Sequence, residues 1–205
     1  MKVLIINGSP RAEGNTSIAL GEMAKVFAKN GIDTETIQVG NKAIRGCIAC
    51  RHCLEHGKCA FDDIVNETAK KFKDCDGLVI GSPVYYAAAN GTLISFLNRL
   101  FYSTSFDKTM KVGAAVAVAR RGGTSTTFDE LNKYFTICGM PVASGQYWNS
   151  VHGRLPGEAA EDEEGLQNMR TIAENMSFLI KSIALGKEQF GLPNKEPRKT
   201  TSFIR

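Results

Sequence analysis

The chain has 205 residues, 43% hydrophobic and 22% charged, enough for one well-packed domain and too little for two large ones. Its net charge of +4 arises from scattered lysines and arginines, so no concentrated basic face argues for nucleic-acid binding. No apolar stretch reaches membrane-spanning length, and the first residues enter a strand rather than a cleavable leader, which predicts a cytoplasmic protein.

In chain order, residues 2–6 read as a strand, 16–29 as a helix, 33–39 as a strand, 62–73 as a helix, 77–80 as a strand and 92–102 as a helix. The rhythm continues with a strand at 111–119, a helix at 125–138, a strand at 141–146 and a long helix at 162–185. Leu166, Met169, Ala173, Met176, Ile180 and Ile183 give that last helix one apolar stripe. Leu78, Val79, Ile80 and the run 112–118 are apolar without alternation, the mark of parallel strands covered on both faces. Five such strands predict a doubly wound, five-stranded parallel α/β domain over residues 1–185, with a cysteine-rich insertion at 40–61. The tail 186–205 is polar, with Pro193 and Pro197, and its Phe203 and Ile204 are expected to dock on a neighbouring subunit of a homodimer or homotetramer.

In this architecture ligands sit beyond the carboxyl ends of the strands, so three loops should converge. The first follows Val3 to Ile6: Gly8 permits close backbone approach, Ser9, Thr16 and Ser17 offer hydroxyls, and Arg11 a charged contact, beside the positive end of a helix. It lacks the Lys-Ser/Thr ending of a Walker A loop and the three-glycine dinucleotide spacing, which favours a mononucleotide phosphate. The second loop sets Pro83, Val84, Tyr85 and Tyr86 beside small residues that leave room for a flat ring. The third, Arg120, Arg121, Gly122 and Gly123, offers bare N–H groups and guanidinium groups to polar ring edges. One loop for a phosphate and two for a planar heterocycle describe flavin mononucleotide, FMN.

Through Gly8-Ser9-Pro10-Arg11, Asn15-Thr16, Ser82-Pro83-Val84-Tyr85, Asn90-Gly91 and Arg121-Gly122-Gly123, the chain resembles the flavodoxin-like NAD(P)H-dependent FMN reductases over essentially its whole length. The resemblance implies that Ser9, Arg11, Asn15 and Thr16 hold the FMN phosphate, that Pro83 to Tyr86 border the isoalloxazine, and that Gly122 and Gly123 donate to its polar edge. The chain departs from the pattern at Ser95 and Asn98, where relatives often carry lysine and aspartate.

Four of six cysteines crowd into thirteen residues, Cys47, Cys50, Cys53 and Cys59. Positions i, i+3 and i+6 do not share a helix face, so a curling loop must bring these thiolates together. Such curls wrap iron–sulfur cubes, and Cys59 stands close enough to complete one. Zinc, unliganded thiols and disulfides remain alternatives, although zinc ribbons usually present two separated Cys-x2-Cys knuckles. His52 and His56 read as solvated loop residues, Cys75 and Cys138 as structural thiols. The segment resembles the compact motif of the iron–sulfur flavoproteins, which carry a [4Fe–4S] cluster beside FMN.

The expected function is FMN-dependent transfer of electrons from NAD(P)H to a quinone, nitroaromatic, flavin or similar small acceptor, the chemistry residing on FMN rather than on a catalytic side chain. Arg121, Gly122 and Gly123 are the candidates for stabilising charge on the reduced ring. The alternative is an electron carrier exchanging electrons with a ferredoxin through the cluster. A flavodoxin proper is disfavoured, since such carriers are typically acidic, and a nucleotide-binding regulator leaves the flat-ring loops unexplained.

Overall fold

The computed structural model describes residues 1–201 and 203; Ile204 lies outside the described residues. Its sheet is built from β1 (Lys2–Asn7), β2 (Asp33–Gln38), β3 (Gly77–Tyr85), β5 (Val112–Ala119) and β6 (Ser150–His152), parallel and ordered β2-β1-β3-β5-β6. The short β4 (Ala88–Ala89) folds back antiparallel on β3. The doubly wound prediction is correct, with that hairpin as an addition. Because the chain leaves β1 to one side for β2 and returns on the other as β3, the switch in strand order lies between β1 and β3.

Alternation along each strand divides the core in two. Val3, Ile5, Val79 and Val116 face α1 (Asn15–Lys29) and the last helix, α6 (Glu163–Phe190), where Met23, Phe27, Ile172 and Met176 meet them. Leu4, Ile6, Leu78 and Ile80 face the opposite layer of α3 (Ile64–Lys73), α4 (Gly91–Ser103) and α5 (Thr124–Thr136), with Phe72, Phe96, Leu131 and Phe135. Glu22 of α1 pairs with Arg170 of α6 at 2.7 Å.

Three expectations need correction. The strand foreseen at 141–146 is only a single bridge, Val142 to Gly113; the chain then bulges outward and re-enters the sheet as β6. The cause is polar. Asn168 of α6 accepts from the N–H of Gln146 at 2.9 Å and donates to the carbonyls of Tyr147 and Trp148, while Asn149 donates to Ala115 O. The third strand continues past Ile80 to Tyr85, since β5 still pairs with it at Pro83; β1 has already ended opposite Gly81, so the proline blocks no second ladder. Finally, α6 passes through Gly186 to Phe190 and stops at Gly191, because one glycine costs a helix only about 1 kcal/mol. Among the described residues no helix is long and apolar enough to cross a membrane.

Candidate functional site

At the end of β1, Asn7 is buried and its Oδ1 accepts the Ser9 N–H at 2.9 Å, turning the chain sharply. Gly8 donates its N–H to Gly81 O at 2.8 Å across the switch point. A Cβ there would fall 2.5 Å from Leu93 Cδ2, so the close approach demands glycine. Gln38 Nε2 donates to Ser9 O and ties the loop to β2; Ser9 Oγ accepts from Arg11 N at 3.1 Å. Gly14 caps α1 without a side-chain acceptor, and the first helical bonds run from Ser17 and Ile18 to Gly14 O. The N–H groups of Asn15 and Thr16 therefore open the helix free of intrahelical partners.

This loop borders a cleft of about 200 Å³. Ser9, Arg11, Asn15 and Thr16 line one side and Pro83, Val84 and Tyr85 another. Val118, Ala119 and Arg120 come from the end of β5, Gly153 and Arg154 from just after β6. Arg11, Arg120 and Arg154 supply three guanidinium groups to this lining, which contains no carboxylate among the described residues. Asn15 lies at the cleft, yet its amide is committed elsewhere: Nδ2 donates to Leu155 O at 2.9 Å and Oδ1 accepts from the N–H groups of Gly157 and Ala159. It thus braces the segment that carries Arg154. Glu158 assists, accepting from the N–H groups of Leu155 and Arg154, and these bonds hold its carboxyl below the usual range.

Ser17, Tyr86, Arg121, Gly122 and Gly123 stand outside this lining. Ser17 Oγ donates to Gly14 O at 2.7 Å. Tyr86 and Ala87, both left-handed with φ of 51° and 59°, form the two-residue turn joining β3 to β4, and the Tyr86 ring is fully exposed. Gly123 packs behind that turn against Ala87 and Val84, and Thr126 Oγ1 donates to Ala87 O. Ser82 Oγ accepts from Asn90 N, and Asn90 Oδ1 in turn caps α4 through Thr92 and Leu93.

In the insertion the only regular element is the one-turn α2 (His52–His56). Left-handed Ala49 and Arg51, with φ of 55° and 61°, curl the chain around it. Cys47, Cys50, Cys53 and Cys59 are free thiols and line one pocket together with Phe61, Arg99, Tyr102 and Ser103. Burial pushes the Cys53 thiol up, and the other three cysteines act in the same direction. Asn66 fixes Cys59 by bonds to both its N–H and its carbonyl, at 2.9 and 3.0 Å. Arg99 is almost wholly buried; it donates through Nε to Cys59 Sγ at 3.2 Å and lies over the Phe61 ring. Burial alone would lower the pKa of Arg99, but the bonds to Asp63 and Cys59 outweigh it and raise the value. Among the described residues no group of three or more Cys, His, Asp or Glu is placed to hold a single metal ion. His52 and His56 stack on each other, 3.9 Å between centroids, and Cys75 is buried away from this pocket.

Of the third loop foreseen at the site, Arg120 does line the cleft, whereas sequence reasoning missed Arg154 because its strand was misplaced. It also missed Arg99, although a signal was present: a charge falls within the buried set Leu93, Phe96, Leu97 and Leu100 of an apolar helix.

Residues 1–154 match the NADPH-dependent FMN reductase family. The chain is 37% identical over 191 residues to an iron–sulfur flavoprotein of Methanocaldococcus jannaschii, covering 89% of this chain and 99% of that one. An iron–sulfur flavoprotein of Methanosarcina thermophila is 29% identical, covering 92% and 100%. Among solved structures, an NAD(P)H:quinone oxidoreductase from Methanothermobacter marburgensis superposes with a TM-score of 0.66 at 15% identity, covering 86% of this chain and 96% of that one, a likeness of fold. The chain therefore belongs to the NADPH-dependent FMN reductase family, within the branch of the iron–sulfur flavoproteins.

Proposed function

We propose that the protein is an FMN-dependent oxidoreductase that takes electrons from NAD(P)H and delivers them to a small acceptor such as a quinone, a nitroaromatic or a flavin. The observation that carries this reading is the arginine-rich cleft at the β1/β3 switch, where an uncapped helix start and the Ser9 loop face the end of β3. Arg11, Ser9 and the N–H groups of Asn15 and Thr16 suit a phosphate dianion. Pro83, Val84 and Tyr85 supply an apolar wall for a flat ring, and Arg120 and Arg154 add positive charge at the rim. FMN, when bound, supplies hydride acceptance and the release of electrons singly or in pairs.

The same proposal assigns Cys47, Cys50, Cys53 and Cys59 to a [4Fe–4S] cluster. A cube binds its four cysteines through four different irons, so the thiolates need only share one space; that all four line one pocket supports the reading. A guanidinium donating to one sulfur and a buried hydroxyl lacking a partner both suit an anionic sulfur-rich occupant. The cysteine pocket also favours a second reading, an electron carrier served by a ferredoxin; steady-state NAD(P)H oxidation separates the two. Self-association belongs to the proposal too, supported by Phe178, Leu185 and Phe190 standing exposed along α6.

Anaerobic purification with FMN, iron and zinc analysis tests the assignment. We expect one FMN and about four irons per chain. Cys59→Ser should lose the iron and keep the flavin. Protein that cannot be reconstituted with FMN would refute the flavin reading, and stoichiometric zinc the cluster.

A further inference from the structure

Arg99 and Ser103 stand one turn apart on α4, so both reach the pocket that the four thiols surround. The Arg99 guanidinium, 1% exposed, faces two ways. Its terminal nitrogens take the Asp63 carboxylate at 2.6 and 2.9 Å, while Nε–H is directed to Cys59 Sγ at 3.2 Å. The cation thus adjoins the sulfur and its counter-ion sits at the far end. Ser103, 4% exposed, has a buried Oγ with no hydrogen-bond partner. Such orphans are uncommon in folded chains, and this one borders a pocket rich in sulfur acceptors.

We propose that Arg99 and Ser103 are positioning residues that tune the cysteine-held cluster: Arg99 fixes Cys59 and sets positive charge against its sulfur, Ser103 donates its hydroxyl to a thiolate or sulfide, and both favour the reduced form. The inference rests on the cluster reading above. Uptake of one electron adds one negative charge, which nearby donors and a fixed cation stabilise more than they do the oxidised state. Asp63, held by the far end of the guanidinium, opposes them.

The test is an anaerobic redox titration, followed by electron paramagnetic resonance, of cluster-loaded wild type, Ser103→Ala, Arg99→Gln and Asp63→Asn, with iron and FMN content measured for each. Arg99→Gln should disfavour reduction by about tenfold, 59 mV for a one-electron couple. Ser103→Ala should shift the potential downward by less. Asp63→Asn should shift it upward, because asparagine still caps α3 while the opposing charge is gone. A merely structural role would give no such opposition of sign. Before loading, Ser103→Ala should melt no lower than wild type, since the hydroxyl has no partner to lose. Equal potentials in wild type, Ser103→Ala and Asp63→Asn would overturn the inference, as would downward shifts in both variants; these two decide even if Arg99→Gln does not fold. Wild type that takes up no iron on reconstitution overturns the cluster reading, and the inference with it.

Discussion

Arg11 and Asn15 sit four residues apart at the same cleft yet do different work. Arg11 is exposed and its guanidinium makes no hydrogen bond among the described residues, so Arg11→Ala should weaken FMN binding by about 1–3 kcal/mol in a fluorescence titration and leave the thermal midpoint of the flavin-free protein unchanged. Asn15→Ala removes three hydrogen bonds to residues 155–159 and should lower that midpoint as well. Tyr134 offers a pH-dependent case. Its hydroxyl donates to Asn98 Oδ1 at 2.5 Å, and burial, aided by Glu130, pushes its pKa from 10.0 up to about 12. The unfolded chain then loses this proton before the folded one does, so the phenol's contribution to stability is complete below pH 10 and is lost as pH rises toward about 12. Urea unfolding across that window should show a shallower decline in Tyr134→Phe than in wild type. An unchanged slope would mean that the phenol is not coupled to folding.

Elements whose pattern is local were legible in the sequence. The helices at α1, α4 and α5 and the buried strands β1 and β5 fall within one or two residues of expectation, since apolar period and glycine or proline punctuation specify them. The fifth strand was not legible. Val142 and Ala143 have strand-like composition, but what bends the following residues is Asn168, more than twenty positions away on α6. Asn168→Ala should therefore destabilise the fold by about 1–3 kcal/mol, readable as a lower denaturant midpoint, because it removes the part-buried hydrogen bonds that hold the backbone of Gln146, Tyr147 and Trp148. Likewise, the left-handed Ala49, Arg51, Tyr86 and Ala87 lack the glycine or asparagine that announces such turns. The first two shape the cysteine pocket, the last two withdraw Tyr86 from the cleft; neither result could be read from spacing.

Across the whole molecule, the proposed association through α6 makes a measurable claim. Truncation after Phe190 keeps the exposed apolar residues of the helix and removes Phe203, so sedimentation of this form against full-length protein separates a tail-held oligomer from one held by α6 itself. A lower assembly state in the truncated form is expected if Phe203 docks on a neighbouring subunit. The two candidate cofactor pockets meet in one rod. The cap of α4, Asn90, is bonded to Ser82 beside the flavin cleft, and the rod ends at Ser103 in the cysteine pocket. From Asn90 to Arg99 the helix advances roughly 14 Å, and one inserted residue would swing Arg99 by about 100° away from Cys59. Leu93, Phe96, Leu97 and Leu100 are fully buried against the sheet layer and hold that rotation fixed. Substitutions can remodel either pocket alone, but the spacing between the two is gauged in helical turns, so an insertion in this stretch of α4 keeps Arg99 turned toward Cys59 only if it adds close to a whole turn.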